Sequence, residues 1–263
     1  MPLPPIPPSI YDPFTNEAPS KYYKFMHPCQ QNSGTYILRD ASGAGGDGIF
    51  NLAGQSETAY WASAGYATVG AGQHNTFQVP LANSSTNIFT ESFIYSIVLN
   101  GAAPASTITI LGNGYPTNNG FYAPGWYIEV KTTGKAHIIF CENGQGNALS
   151  SLSDITPAVF DGTDHQLTFF YDGPTGCCFV YVDGVQKLSN INVMQQAASA
   201  VCTKNFVIGN DVYEAAVPAS GFKFKGQHLL VFPGSLPINC PQLATLLKIN
   251  PLIPLTDKQI KVV

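Results

Sequence analysis

Charge is scarce in this chain. Twelve Lys and Arg and sixteen Asp and Glu among 263 residues make 11% charged and a net charge of −4, against about 25% in a typical soluble domain. No stretch concentrates Lys or Arg, so the electrostatic footprint for gripping nucleic-acid phosphates is missing. No window approaches 18 uninterrupted apolar residues, so no membrane-spanning helix is expected. The opening MPLPPIPPSIYDPF lacks the basic and apolar regions of a secretory signal, and assembly inside a cell is expected. Cys29, Cys141, Cys177, Cys178, Cys202 and Cys240 form no C-x-x-C pair and no Cys/His ligand spacing. They read as buried free thiols, with one disulfide through Cys141 or Cys202 as the alternative. So little charge leaves two readings of the surface: partners cover much of it, or Ser, Thr, Asn, Gln and Gly carry it.

What is present is enough to fold. Hydrophobic residues make up 44%, which excludes disorder. The length suits one large all-β domain or two small ones, burying roughly 70–75% of the unfolded surface.

Seven prolines fall in the first 20 residues. Proline fixes φ and removes a donor, so residues 1–21 are expected as an extended arm. Ile6, Ile10, Tyr11 and Phe14 are its apolar teeth and the candidates for contact with another subunit. Residues 22–250 read as one β-sandwich. Segments such as Phe93–Leu99, Trp126–Val130, Ala136–Cys141, Gln166–Tyr171, Cys178–Val182 and Gln227–Phe232 are rich in β-branched and aromatic residues. Asn-Gly and Asp-Gly pairs punctuate them, and these tolerate the positive φ of hairpins. Strands about every ten residues with no helical pattern between them mean an antiparallel sandwich or barrel, not βαβ units. The one helix expected is Pro241–Leu247, with Pro241 in its first turn. The stretch Gly43–Gly48 is spaced like a phosphate-cradling loop, but it lacks the lysine and the following helix and reads as a flexible turn. Residues 251–263 are expected as a second extended tail.

The segment FDGTDHQLTFFYDG (160–173) followed by FVYVDGVQKL (179–188) resembles the laminin-G/concanavalin A-like lectin superfamily. Asp161, Asp172 and Asp183 recur every eleven residues, one strand plus one turn each. Phe89–Leu99, Gly125–Cys141, Val207–Gly209 and the stretch from Phe224 fall in the family's order, and the likeness spans roughly Thr76 to Ile249. It departs where the family usually has a tryptophan before the histidine: Asp164 precedes His165. The resemblance implies an all-β, two-sheet antiparallel jelly-roll sandwich of about a dozen strands, a fold that hosts many functions.

Catalysis finds little footing. A glycanase needs a carboxylate pair on one strand face, about 5–5.5 Å apart in retaining enzymes. Glu57, Glu91, Glu129, Glu142 and Glu214 each lack a second carboxylate at i+2 or i+4. There is no Gly-x-Ser-x-Gly elbow. His165 reads as a core-edge residue bonded to a backbone carbonyl. No metal or cofactor is expected, since Asp47, Asp154 and Asp211 are scattered and the turn aspartates already have a structural task. The loop 113–126 is the binding candidate. Tyr115, Tyr122 and Trp126 offer rings for the apolar faces of sugars, with Phe121 beside them, and Asn118 and Asn119 offer paired donors and acceptors. Tyr60, Trp61 and Tyr66 form a weaker aromatic patch.

A sandwich with proline-broken arms, few charges and no export signal is expected to be a non-enzymatic virion component of a tailed bacteriophage. It would decorate the capsid or the tail surface, assemble in the host cytoplasm and be anchored by its terminal arms. Its expected partners are other virion proteins, copies of itself and a host surface glycan, without nucleic acid or membrane insertion. The alternatives are a carbohydrate-binding adhesin, such as a tail-fibre receptor-binding module, and a divergent glycan hydrolase.

Overall fold

The computed structural model describes residues 18–29, 37–50, 61–62, 66–69, 77–88, 90–113, 125–141, 150–190, 202, 204–209, 221–236, 240–249 and 255–260. Among these, sixteen strands form two eight-stranded antiparallel sheets. The first sheet runs β14 (Val185–Asn190), β13 (Cys177–Val182), β12 (His165–Asp172), β7 (Glu91–Asn100), β16 (Phe222–Pro233), β5 (Tyr66–Val69) and β4 (Trp61–Ala62). β1 (Tyr23–His27) shares the far edge of β16 with β5. The second sheet runs β11 (Ser150–Ile155), β10 (Ala136–Cys141), β9 (Gly125–Val130), β8 (Ile108–Gly112), β15 (Phe206–Ile208), β6 (Phe77–Val79), β3 (Gly48–Phe50) and β2 (Ile37–Leu38). This is the two-sheet jelly-roll sandwich expected from the sequence, with β8–β11 running consecutively in the second sheet and β12–β14 consecutively in the first.

Alternation along each strand builds the core. Phe93, Tyr95, Ile97 and Leu99 of β7 and Leu167, Phe169 and Tyr171 of β12 point inward. They meet Trp126, Ile128 and Val130 of β9 and Phe206 and Ile208 of β15. The centre is aromatic: Trp126 lies parallel to Phe93 at 5.5 Å and edge-on to Phe169 at 4.8 Å.

The first sheet is apolar on its outer face as well, and a second cluster closes it. Ile94, Phe170, Tyr181, Leu230 and Phe232 meet Leu243, Ala244 and Leu247 of α1 (Cys240–Ile249). A bulge between Tyr23 and Phe25 in β1 sends Phe25 into the main core and Tyr23 to this outer layer. The C-terminal residues join it. Where the sequence predicts an extended tail from 251, residues 257–260 form a short helix, α2 (Asp257–Ile260), with Leu255 and Ile260 buried. Thr256 N donates to Gln259 Oε1 at 2.8 Å and Gln259 N donates to Thr256 Oγ1 at 3.3 Å, a reciprocal capping box. The expected N-terminal arm is fixed at its base. Pro19 bridges Thr256, Ser20 N donates to Leu255 O, and Ser20 Oγ donates to Asp257 Oδ1 at 2.6 Å.

The glycine-rich stretch differs from the flexible turn expected. It is wound around an anion of its own, the Asp40 carboxylate. Oδ1 accepts from Met26 N, Ser42 N and Ser42 Oγ at 2.7–2.9 Å, and Oδ2 from Gly45 N at 2.9 Å and Gly46 N at 3.1 Å. Gly46 is required by packing, because a Cβ there would lie 2.4 Å from Lys24 O.

The same loop closes a buried polar thread. Tyr95 O–H donates to Gln227 Oε1 at 3.0 Å, Gln227 Nε2 donates to His27 Nδ1 at 2.9 Å, and His27 Nε2–H donates to Gly46 O at 2.8 Å. Every group in it is satisfied only while the imidazole is neutral. Burial lowers His27 from 6.5 to about 4, although Asp40 opposes the shift. The unfolded chain therefore binds a proton at His27 before the folded chain does. The contribution of His27 is complete above pH 6.5 and is lost as pH falls from 6.5 toward 4. In urea titrations across that window the wild-type midpoint is expected to fall, and His27→Gln to show a flatter profile from a lower starting midpoint at pH 7. Parallel profiles would contradict the role given to His27.

Candidate functional site

The loop carrying the sugar-binding candidates springs from a stitched base. Asn113 N donates to Trp126 O at 3.0 Å, Trp126 N donates to Asn113 Oδ1 at 3.3 Å, and Cys202 Sγ donates to Asn113 O at 3.3 Å. Asn113 is fully buried. Tyr115, Asn118, Asn119 and Tyr122 lie outside the described residues, as do Phe121 and the arm residues Ile6, Ile10, Tyr11 and Phe14. Trp126 does not, and it needs correction as a sugar platform. It is 0% exposed, its ring is packed by Phe93, Tyr95, Phe169 and Phe206, and its buried Nε1 has no acceptor among the described residues. Strand alternation explains this: Trp126 shares the inward face of β9 with Ile128 and Val130.

A second polar constellation stands at the start of β12. His165 Nδ1 lies 2.7 Å from Asp183 Oδ2 and its Nε2 lies 3.1 Å from Asp161 Oδ2. These partners are carboxylates, not the backbone carbonyl expected from the sequence. Asp183 sits at φ +54° before Gly184 at φ +75°, the left-handed pair of a tight β13–β14 hairpin. Its other oxygen accepts from Gln166 N at 2.9 Å. Asp161 caps its own turn through Thr163 N and Thr163 Oγ1, and these bonds hold it down to about 2. Asp172, the middle member of the eleven-residue series, accepts from Ser92 Oγ and Thr175 Oγ1. The three aspartates are turn-makers, and His165 ties two of their turns together.

Chemically this is a clamp. Asp161 is exposed, and both carboxylates already accept hydrogen bonds. The isolated carboxylates of the sequence stay apart where they are described. Glu91 accepts from Asn87 N, and Glu129 pairs with Lys131 at 2.6 Å and lies 3.6 Å from His137 Nδ1. Burial pushes Glu129 up, but His137 and Lys131 outweigh it and hold the group below the usual carboxylate range. Among the described residues no three His, Cys, Asp or Glu side chains are arranged to hold a metal ion. The described cysteines Cys29, Cys177, Cys178, Cys202 and Cys240 are free thiols, which removes Cys202 as a disulfide partner. Burial raises Cys202 and Cys240 to about 11 and Cys29 to about 12, so none of these three is a ready nucleophile.

The clamp titrates in the opposite sense to His27. Partial burial lowers His165, but the bonds to Asp183 and Asp161 outweigh it and raise the imidazole above 6.5. A raised folded value stabilises fully below the unfolded pKa of 6.5, and that stabilisation is lost as pH rises through the folded value. An NMR titration is expected to place His165 above 6.5 in the wild type and to move it down in Asp161→Asn. A wild-type value at or below 6.5 would remove the clamp.

No protein-family model matches the chain, and no curated protein matches it. Solved structures do. The binding domain of botulinum neurotoxin serotype G aligns at 12% identity with a TM-score of 0.58, over 87% of this chain and 51% of that one. The binding domain of botulinum neurotoxin serotype D aligns at 14% identity with a TM-score of 0.59, over 88% and 50%. The binding domain of Paraclostridial Mosquitocidal Protein 1 aligns at 11% identity with a TM-score of 0.57, over 88% and 52%. The chain thus spans about half the length of each of these structures, and at such identities what it shares with them is the sandwich fold.

Proposed function

We propose that this chain is a non-enzymatic recognition and assembly module, a structural component of a tailed-bacteriophage virion. In this reading the N-terminal segment attaches it to the particle, and the sandwich is presented outward toward host surface glycans. The observation that carries the reading is the fixed exit of that segment. Pro19 and Ser20 are bonded to residues 255–257, so the seventeen residues before Ala18 leave from a defined point on the helical face of the first sheet. The buried Leu255 and Ile260 leave the N-terminal segment, and not residues 255–260, as the anchoring arm. Recognition rather than hydrolysis is supported by fold neighbours that are themselves binding domains and by the internal partners of Glu91, Glu129, Asp161 and Asp183. The second reading, a carbohydrate-binding adhesin working alone, is favoured by the stitched base under the loop that carries Tyr115, Asn118, Asn119 and Tyr122.

Immunogold labelling of density-purified particles is expected to decorate their surface, and label confined to the soluble lysate would contradict the virion assignment. On an array of bacterial surface glycans the full chain is expected to bind without releasing reducing ends. Tyr122→Ala is expected to weaken that binding roughly tenfold or more, as for a lost stacking ring, with an unchanged denaturation midpoint. Release of reducing ends would turn the assignment to a hydrolase.

A further inference from the structure

α1 has two working faces. Leu243, Ala244 and Leu247 are buried against the first sheet. Pro241, Gln242 and Thr245 are exposed and, with Leu246, which is half-buried against the same cluster, and Gln259 of α2, line an open groove of about 440 Å³. Pro241 and Leu246 give its lining an apolar part, beside the side chains of Gln242, Thr245 and Gln259. An α-helix rises 1.5 Å per residue, so the ten residues of α1 make the groove at most about 15 Å long.

The proline-rich segment fits that shape. A polyproline II helix has three residues per turn and rises about 3.1 Å per residue. In such a helix residues 2–8, Pro-Leu-Pro-Pro-Ile-Pro-Pro, would place Pro2, Pro5 and Pro8 on one edge, Pro4 and Pro7 on the next, and Leu3 and Ile6 on the third. In that conformation all three edges would be apolar, about five of the seven residues would lie along the roughly 15 Å groove, and little chain entropy would be lost on docking. Polyproline recognition in general uses aromatic-lined grooves; here Pro241 and Leu246 supply the apolar surface instead.

Where the segment starts decides whose groove it reaches. Pro19 pairs with Thr256, three residues before the groove residue Gln259. The exit of the arm and the groove thus share one patch of the surface. Residues 2–8 lie more than ten residues upstream of Pro19, about 30 Å away along an extended chain. That overshoots a groove one helical turn from the exit, but it crosses to a neighbour. A patch holding both a donor arm and an acceptor groove is self-complementary, which is the requirement of a closed two-fold contact. We propose that the α1–α2 groove receives residues 2–8 of a second copy of this chain, in a reciprocal exchange of arms. The proposal rests on the reading of the N-terminal segment as an assembly element.

Sedimentation equilibrium of the full-length chain tests it. The wild type is expected to be a dimer. Ile6→Asp, which spoils the arm, and Thr245→Arg, an exposed position that fills the groove, are each expected to weaken dimerisation ~10-fold or more with unchanged denaturation midpoints. Mixed together, the two variants are expected to form a heterodimer, because the arm of Thr245→Arg meets the intact groove of Ile6→Asp. A wild type that stays monomeric throughout the concentration range overturns the exchange. An oligomer dissociated by Ile6→Asp but not by Thr245→Arg overturns the groove and leaves the arm as an assembly element. An oligomer indifferent to both variants overturns the groove and the arm together.

Discussion

The tyrosine hydroxyl of Tyr23 joins three parts of the chain that are far apart in sequence. It accepts from Leu255 N at 2.7 Å and faces His228 Nδ1 at 3.1 Å, so its own proton is left for the imidazole. The group is fully buried, and burial raises its pKa well above the ordinary phenol range, so it remains a neutral donor at every ordinary pH. Through it, the N-terminal strand, the central strand β16 and the C-terminal residues meet at one point on the outer face of the first sheet. The consequences are geometric. The bulge in β1 is what turns Tyr23 to that face, and the capping box at Thr256 starts α2 one residue beyond the bond. The exit of the N-terminal segment and the groove beside α1 follow from where this bond sits.

The scarcity of charge has a structural use as well. Among the described residues, aspartates are drawn into loops and turns rather than displayed in a field. Asp40 fills the glycine-rich loop, Asp47 pairs with Arg39 and accepts from Asp40 N, and Asp161, Asp172 and Asp183 shape successive turns. A carboxylate that accepts several short N–H bonds is worth more to a loop than a solvated one. Two histidines of opposite tendency accompany them. His27 is sealed and neutral, and His165 is partly buried and held between anions.

Much of this was legible in the sequence. The strands of the central sheets announce themselves through alternating aromatic and β-branched residues, and the helix at Pro241 through its position after the last strand. β11, SSLSDI, and β14, VQKLSN, carry no such pattern because they are edge strands, ordered by the neighbour they pair with rather than by a buried face. The tail departs from the extended form that Pro251 and Pro254 imply because Thr256-Asp257-Lys258-Gln259, just beyond them, has the capping-box spacing that signals a helix start. Trp126 looked like a ligand platform because a long Gly, Pro and Asn loop precedes it, yet its own alternation with Ile128 and Val130 marks the inward face. Asp40 and His165 each combine local partners, Ser42, Gly45 and Gly46 for the one and Asp161 for the other, with a remote one, Met26 N and Asp183, and the remote partners are what no local spacing reveals.

The most direct test of the central junction is hydrogen exchange at the Leu255 amide, in the wild type and in Tyr23→Phe. Phenylalanine keeps the ring and removes only the oxygen that accepts this N–H. The Leu255 amide is expected to be protected in the wild type and to exchange at least ~10-fold faster in the variant, as a lost buried hydrogen bond requires, while amides of β7 and β12 remain as slow as before. A Leu255 amide that exchanges freely in the wild type, or that is unchanged in Tyr23→Phe, would contradict the account of how the two ends of the chain are held together.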